Sequence, residues 1–192
     1  MLVFLFSIYR LVPRLRALVF KIRFPEFVQD CKPSIVAVAA ACEEIKKSSK
    51  LARVLEWILL IGNIMNTGSR LEQCVGFDIS HLPKLSDTKD KYNHWTLLHF
   101  LVETVELEQP DLLHFHEDLI HLDRAAKASM ETIDRILKHM KLSLQSIDND
   151  MASLEGSRSS EDSFFDEMSQ FSEGITSYVN VFLATFHHVR SQ

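Results

Sequence analysis

Three of the chain's nine histidines, His114, His116 and His121, crowd into the segment HFHEDLIH, and closely spaced imidazoles are a common beginning for a metal site. Their spacing argues against one. On a helix the side chains of His114 and His116 would point about 200° apart, so both could reach one ion only if the backbone there were extended. Neither an HExxH pattern nor a thiolate partner accompanies them, and half-buried or surface imidazoles are the expected outcome. The carboxylate pairs Glu43 with Glu44 and Asp148 with Asp150 show no sign of the apolar pocket that would raise one pKa for acid catalysis. A GxSxG nucleophile elbow and the phosphate-cradling loops GxxxxGK[ST] and GxGxxG do not occur in the sequence. No enzyme, catalytic residue, metal site or cofactor is therefore expected.

Composition sets wider bounds. A chain of 192 residues that is 46% hydrophobic and 24% charged can bury one substantial core. Five glycines and five prolines leave little room for a turn-rich β fold. A net charge of -5 and a pI near 6.0 argue against a sequence-independent nucleic-acid binder, which needs a basic face to displace counterions. Cys31, Cys42 and Cys74 are odd in number and form no CxxC, which fits a reducing, intracellular setting. The opening MLVFLFSIYRLV has no basic n-region, and Arg10 interrupts it well short of the roughly 20 apolar residues that span a bilayer. Membrane insertion is not expected. The first ten or so residues read either as a buried helix of a domain that begins further upstream or as a product of the assigned translation start.

The elements follow from periodicity. Pro13 opens a short amphipathic helix with Leu15, Leu18, Val19 and Ile22 at helical spacing and Arg14, Arg16, Lys21 and Arg23 on other faces, a basic side expected to be solvated. Pro33 and Ser34 open a second helix, SIVAVAAACEEIKKSS. A third should start near residue 50 with the stripe Leu51, Val54, Leu55, Ile58, Leu59, Gly62 and Met65. Residues 67 to 94 are polar and too long for a plain connection, which suggests an ordered functional loop. TLLHFLVETVEL restores a helix with Thr96 as cap and Pro110 beyond its end. From Leu122 through Ala126, Ser129, Ile133, Leu137, Met140, Leu144, Ile147 and Met151 to Leu154, apolar steps of four and three make a coiled-coil seam. As one helix it would be about 50 Å long. After the Ser-rich loop EGSRSSED, a second seam runs through Phe164, Met168, Phe171, Ile175, Tyr178 and Phe182. The short connection makes the pair antiparallel.

The third helix runs into GNIMNTG, and spacing leaves its end open. Continued, it sets Asn63 and Asn66 on one side with Gly62 on the packed side beside them. Alternatively Gly62, about 1 kcal/mol worse than alanine inside a helix, ends it and Asn66-Thr67-Gly68 forms a turn.

The ordered series Gly62-Asn63, Met65-Asn66, Gly68, Gly76-Phe77, Lys84-Leu85, Asp87-Thr88-Lys89 and Thr96-Leu97-Leu98-His99 resembles the formin homology 2 domain of diaphanous-type formins. KPSIVAVAAACEEI upstream is similar to the same group, so the resemblance covers about residues 10 to 190. It implies an all-α, elongated helical domain with a long antiparallel coiled-coil segment. Residues 1–192 would be a partial copy holding the end of the knob, the coiled coil and the post, without lasso and linker. It also implies an actin assembly factor, which nucleates unbranched filaments and stays on the growing barbed end as a head-to-tail dimer. In the family a lasso from one subunit encircles the post of the other. Gly62, Asn63, Met65, Asn66, Gly68, Gly76 and Phe77 would then form the lasso-receiving surface, with exposed carboxamides pairing with the incoming backbone. Lys89 matches a lysine that contacts actin in related domains, and Lys84 is a second candidate nearby. Trp57 and Trp95 fall in the post and are not lasso residues. Asp90, His81 and Pro83 depart from the pattern beside that lysine and would weaken the charge contact.

The implied partners are actin and a second formin subunit, with profilin-bound actin reached indirectly, in the cytoplasmic actin cytoskeleton. Neither nucleic acid nor membrane is expected. A reading of another class is a helical coiled-coil scaffold without actin assembly activity.

Overall fold

A computed structural model describes residues 10–70, 72–154 and 162–191. Residues 1–9 and most of the Ser-rich loop, on which two of the sequence readings fall, lie outside that set. Among the described residues no strand forms, and Lys89 with Thr96 makes an isolated antiparallel bridge. Two compact units result, one from the chain up to Cys42 together with His121 onward, the other from Glu43 to Ile120.

In the first unit, helix α1 (Leu11–Lys47) is continuous for 37 residues with Pro25 and Pro33 inside it, where two separate helices were expected. Each proline removes an N–H and costs on the order of 3 kcal/mol in a helix interior. Both rings lie on the exposed side, while Ala17, Phe20, Phe24, Cys31 and Ile35 bury an unbroken stripe. Packing along that stripe outweighs the local penalty, as is usual for helices in proteins.

The single long helix expected from Leu122 is broken instead. Helix α5 (Leu122–Ala126) stops, and helix α6 (Met130–Leu154) starts afresh with the Ser129 hydroxyl accepting the Thr132 N–H at 3.2 Å. Ala126 and Ser129 filled the repeat in sequence, yet their small side chains anchor little, and a serine caps a helix better than it continues one. At 1.5 Å per residue the 25 residues of α6 span about 37 Å rather than 50.

Helix α7 (Phe164–Arg190) packs antiparallel to α6. Ser172 donates to Asp148 at 2.7 Å near one end. Near the other, the hydrogen bond from Lys138 lowers the Asp134 carboxyl below its usual range, with Arg190 and His187 adding to it. The core joins Phe20, Phe24 and Cys31 of α1 to Ile133, Leu137, Met140 and Leu144 of α6 and Met168, Val179 and Phe186 of α7. Leu137, Met140 and Met168 are fully buried. Phe171 meets Phe24 edge to face at 5.8 Å and 89°, a favoured aromatic geometry. The Arg14 guanidinium binds Asp162 and lies 4.9 Å over the Phe164 ring, while Lys21 reaches Glu167 at 3.1 Å, so α1 is tied to the start of α7.

The second unit contains α2 (Ser49–Met65), a 3₁₀ turn at Ile79–His81, α3 (Lys84–Asp87), α4 (Leu97–Glu108) and a 3₁₀ segment at Pro110–Asp118. Ser48 caps α2 by accepting the Leu51 N–H at 3.1 Å and donates to Asp118 at 2.8 Å. Ile61 of α2 packs with Leu101 and Val105 of α4 and with Leu112, flanked by Val54, Trp57 and Ile58. The inward stripe of α2 is therefore 54, 57, 58 and 61. Met65, placed on it from sequence, is 58% exposed.

Replacing Phe24 by alanine should lower the unfolding free energy by about 3–5 kcal/mol. Urea denaturation followed by circular dichroism measures it, and a loss under 1 kcal/mol would mean that the aromatic cluster does not hold α1 to its partners.

Candidate functional site

The sequence points to the segment after α2, and its order comes from a few hydrogen bonds. Helix α2 runs through Gly62 to Met65, and the Asn66 N–H closes it on the Gly62 carbonyl at 3.0 Å. Thr67 and Gly68 then turn the chain, with Gly68 at φ +78°, a left-handed conformation that glycine adopts without strain. Both alternatives left open in the sequence are thus partly realised: the helix continues past Gly62, and the asparagine-threonine-glycine turn follows it.

Asn63 fastens the far side of this turn. Its Nδ2 donates to the Cys74 carbonyl at 3.0 Å and its Oδ1 accepts the Cys74 N–H at 3.0 Å. This is the pairing a neighbouring strand would offer, supplied by one carboxamide. The expectation that Asn63 presents a free carboxamide to another chain is corrected: the group is occupied by its own loop. Gly62 is corrected as well, because a Cβ built there would meet nothing within 4 Å, so it stands open and not on the packed side.

Downstream, Asp78 caps the 3₁₀ turn through the Ser80 N–H at 2.8 Å, and the Ser80 hydrogen bonds lower its carboxyl below the usual range. Thr88 closes α3 with its hydroxyl on the Lys84 carbonyl at 2.9 Å. Thr88 and Asp90 then pair with Leu97 and Trp95 through backbone bonds of 2.8 and 2.9 Å. The Asp90 carboxylate accepts the N–H groups of His94 and Trp95 at 2.8 and 3.2 Å and holds the loop 90–95 shut. A loop-closing acid there explains the departure from the resemblance pattern seen at Asp90. Thr96 and His99 form a reciprocal capping box at the start of α4, as expected for Thr96.

These restraints create an apolar groove of about 450 Å³ between the end of α2 and the start of α4. Ile64 and Met65 supply one wall, Trp95 and Phe100 the other, and Lys89 and Asp90 the rim. The four apolar side chains are 64%, 58%, 50% and 51% exposed, an arrangement costly in water unless something covers it. Among the described residues Lys89 enters no ion pair.

Of the residues singled out in the sequence, Met65 and Lys89 come together in this groove. Gly62, Asn63, Asn66 and Gly68 lie at or just past the end of α2 without lining it; Gly76 is exposed and Phe77 half-buried in the fastened loop; Lys84 begins α3 away from the rim. Ile64, Trp95 and Phe100 were not anticipated as groove residues. A signal for them existed: TLLHFLVETVEL carries apolar residues on more than the one stripe that a half-buried helix needs, so Phe100 had to face outward if Leu101 faced inward.

His114 and His116, the first metal candidates, sit in the 3₁₀ segment with ring centroids 6.2 Å apart, and His114 Nδ1 faces Glu117 at 3.5 Å. Helical spacing does not apply there, and the nearer partner of His114 is that carboxylate.

Comparison with known proteins bears on the groove and its loop together. The profile of the Formin Homology 2 Domain matches residues 1–190. The chain belongs to the formin homology 2 domain family. It is 43% identical over 175 residues to Protein diaphanous of Drosophila melanogaster, covering 91% of this chain and 16% of that protein. Protein diaphanous homolog 3 of Homo sapiens is 46% identical over 165 residues, covering 86% of this chain and 14% of that protein. Formin-like protein 6 of Oryza sativa subsp. japonica is 31% identical over 185 residues, 96% of this chain and 14% of that protein. The chain thus spans 14–16% of the length of these relatives. The all-α fold is that expected of a formin homology 2 domain, and Met65, Thr88, Lys89, Thr96 and Leu97 of the series that carried the resemblance line the groove.

Asn63→Ala in this formin homology 2 chain should release the loop without unfolding α2, at a cost of about 1–3 kcal/mol for the orphaned Cys74 groups. Hydrogen exchange should show the Cys74 amide losing protection at least tenfold while amides of α4 keep theirs. Unchanged protection would show that the carboxamide is dispensable.

Proposed function

We propose that this chain is an actin-binding formin module. In this reading the groove receives an apolar, aromatic-bearing segment of a second formin subunit, and Lys89 at its rim engages an acidic surface of actin. The observation that carries the reading is the groove itself: four exposed large apolar side chains beside a lysine that enters no ion pair among the described residues, with Met65 and Lys89 from the series that marks the family. Aromatic and aliphatic anchors seated in a desolvated pocket supply most of the energy in such joints, and a rim charge adds specificity and association rate.

Promotion of unbranched filament nucleation and elongation at the barbed end belongs to this proposal, as does head-to-tail pairing with another subunit and indirect use of profilin-bound actin. The lasso-receiving role assigned to Gly62, Asn63, Met65, Asn66, Gly68, Gly76 and Phe77 takes a divided form. Met65 and open Gly62 offer contact surface, whereas Asn63 supports the surface from behind by fixing the loop. Lys84 is the weaker actin candidate because it stands outside the groove. Action in the cytoplasmic actin cytoskeleton follows from the same reading, and among the described residues no helix is long and apolar enough to cross a membrane.

Substituting Lys89 by aspartate tests the actin contact. Affinity for actin in cosedimentation should fall about tenfold, or 1.4 kcal/mol, and its salt dependence should flatten. Binding equal to the unsubstituted chain would favour a coiled-coil scaffold that does not engage actin through this rim.

A further inference from the structure

Trp95 borders two hollows. On one side is the groove with Lys89 on its rim; on the other, a second hollow of about 490 Å³ runs along the outer face of α4, lined by Trp95, Leu98, His99, Val102, Glu103 and Glu106. Leu98 and Val102, one turn apart, are 39% and 41% exposed. From Tyr92 to Asp123 the sequence has no lysine or arginine, while acidic residues recur from Glu103 onward. Among the described residues neither Glu103 nor Glu106 enters an ion pair. The face therefore combines an apolar stripe with two carboxylates that enter no ion pair among the described residues.

We propose that this face of α4 docks a cationic amphipathic helix. The twelve residues of α4 extend over about 18 Å, just over three helical turns, which matches a partner helix bearing apolar anchors at i, i+3 and i+4. Its anchors seat against Leu98, Val102 and the outer side of Trp95, and its lysines or arginines meet Glu103 and Glu106. Opposite charge at the edge selects this class of helix over an acidic one, because like charges brought together there would be repelled. This partner is additional to the actin and formin contacts proposed above and uses the opposite side of the tryptophan.

The test is fluorescence anisotropy with a labelled synthetic helix of leucine and lysine in amphipathic order, alongside a scrambled peptide of the same composition. The amphipathic peptide should bind the chain with a Kd in the micromolar range, about 10 μM, and the scrambled one at least tenfold more weakly. The double substitution Glu103→Gln with Glu106→Gln, which keeps helix formers in place, should raise the Kd at least about fivefold. Lys89→Asp should leave it unchanged. Equal binding of the scrambled peptide, or an unmoved Kd in the double variant with circular dichroism intact, overturns the proposal. Concentration-dependent self-association abolished by the double variant would place a second copy on this face and overturn it as well. Because the double variant spares Lys89, actin binding reports separately on the earlier reading.

Discussion

The contact of Ile61 with Leu101 and Val105 is the constraint on which the second unit depends. It sets the end of α2 against the start of α4 and so obliges some thirty intervening residues to return to a fixed point. Loop closure over such a length costs entropy that grows only slowly with length, and the chain meets it with short local closures rather than a larger core. Asn63 on Cys74, Asp78 on Ser80, Thr88 on Lys84 and Asp90 on Trp95 each close a few residues. The groove is what remains open once those closures are made. Its apolar walls come from the two packed helices and from Trp95 of the loop, and its charged rim belongs to the loop.

The first unit solves a different problem. Three helical segments share one seam, in which aromatic rings from α1 and α7 interlock over the aliphatic stripe of α6. Ion pairs from Arg14 and Lys21 fix the register at the start of α7. Exposed pairs such as Lys21 with Glu167 add little stability, so their contribution is alignment.

Much of this was legible in the sequence, and the failures have specific causes. The seams through Ile133 to Ile147 and through Met168 to Phe182 could be read because their step alternates reliably and their residues are large. The same counting failed at Ala126 and Ser129, where the period persisted after the side chains had become too small to enforce it. Pro33 was read as the start of a new helix, since local propensity is visible in sequence and the tertiary burial that overrides it is not. At the site, residue types were read correctly and their partners were not. Asn63 looked like a ligand for another chain because nothing in its spacing reveals that Cys74, eleven residues on, returns to it. The outward aromatic at Phe100 could have been deduced from the excess of apolar positions on α4, whereas Trp95 needed the Asp90 turn to place it.

Gly62 carries a consequence of another kind. Within the chain it opposes helix formation, and no neighbour approaches closely enough to require its missing side chain. A residue that weakens its own helix and whose added Cβ would meet nothing within 4 Å does no work for the interior. Sequence drift at this position would leave the folded chain as sound as before or sounder, and the loss would surface only in an assembly. Stability screens and partner screens should therefore rank substitutions at Gly62 in opposite order, which makes it a position where the two pressures on this surface can be told apart.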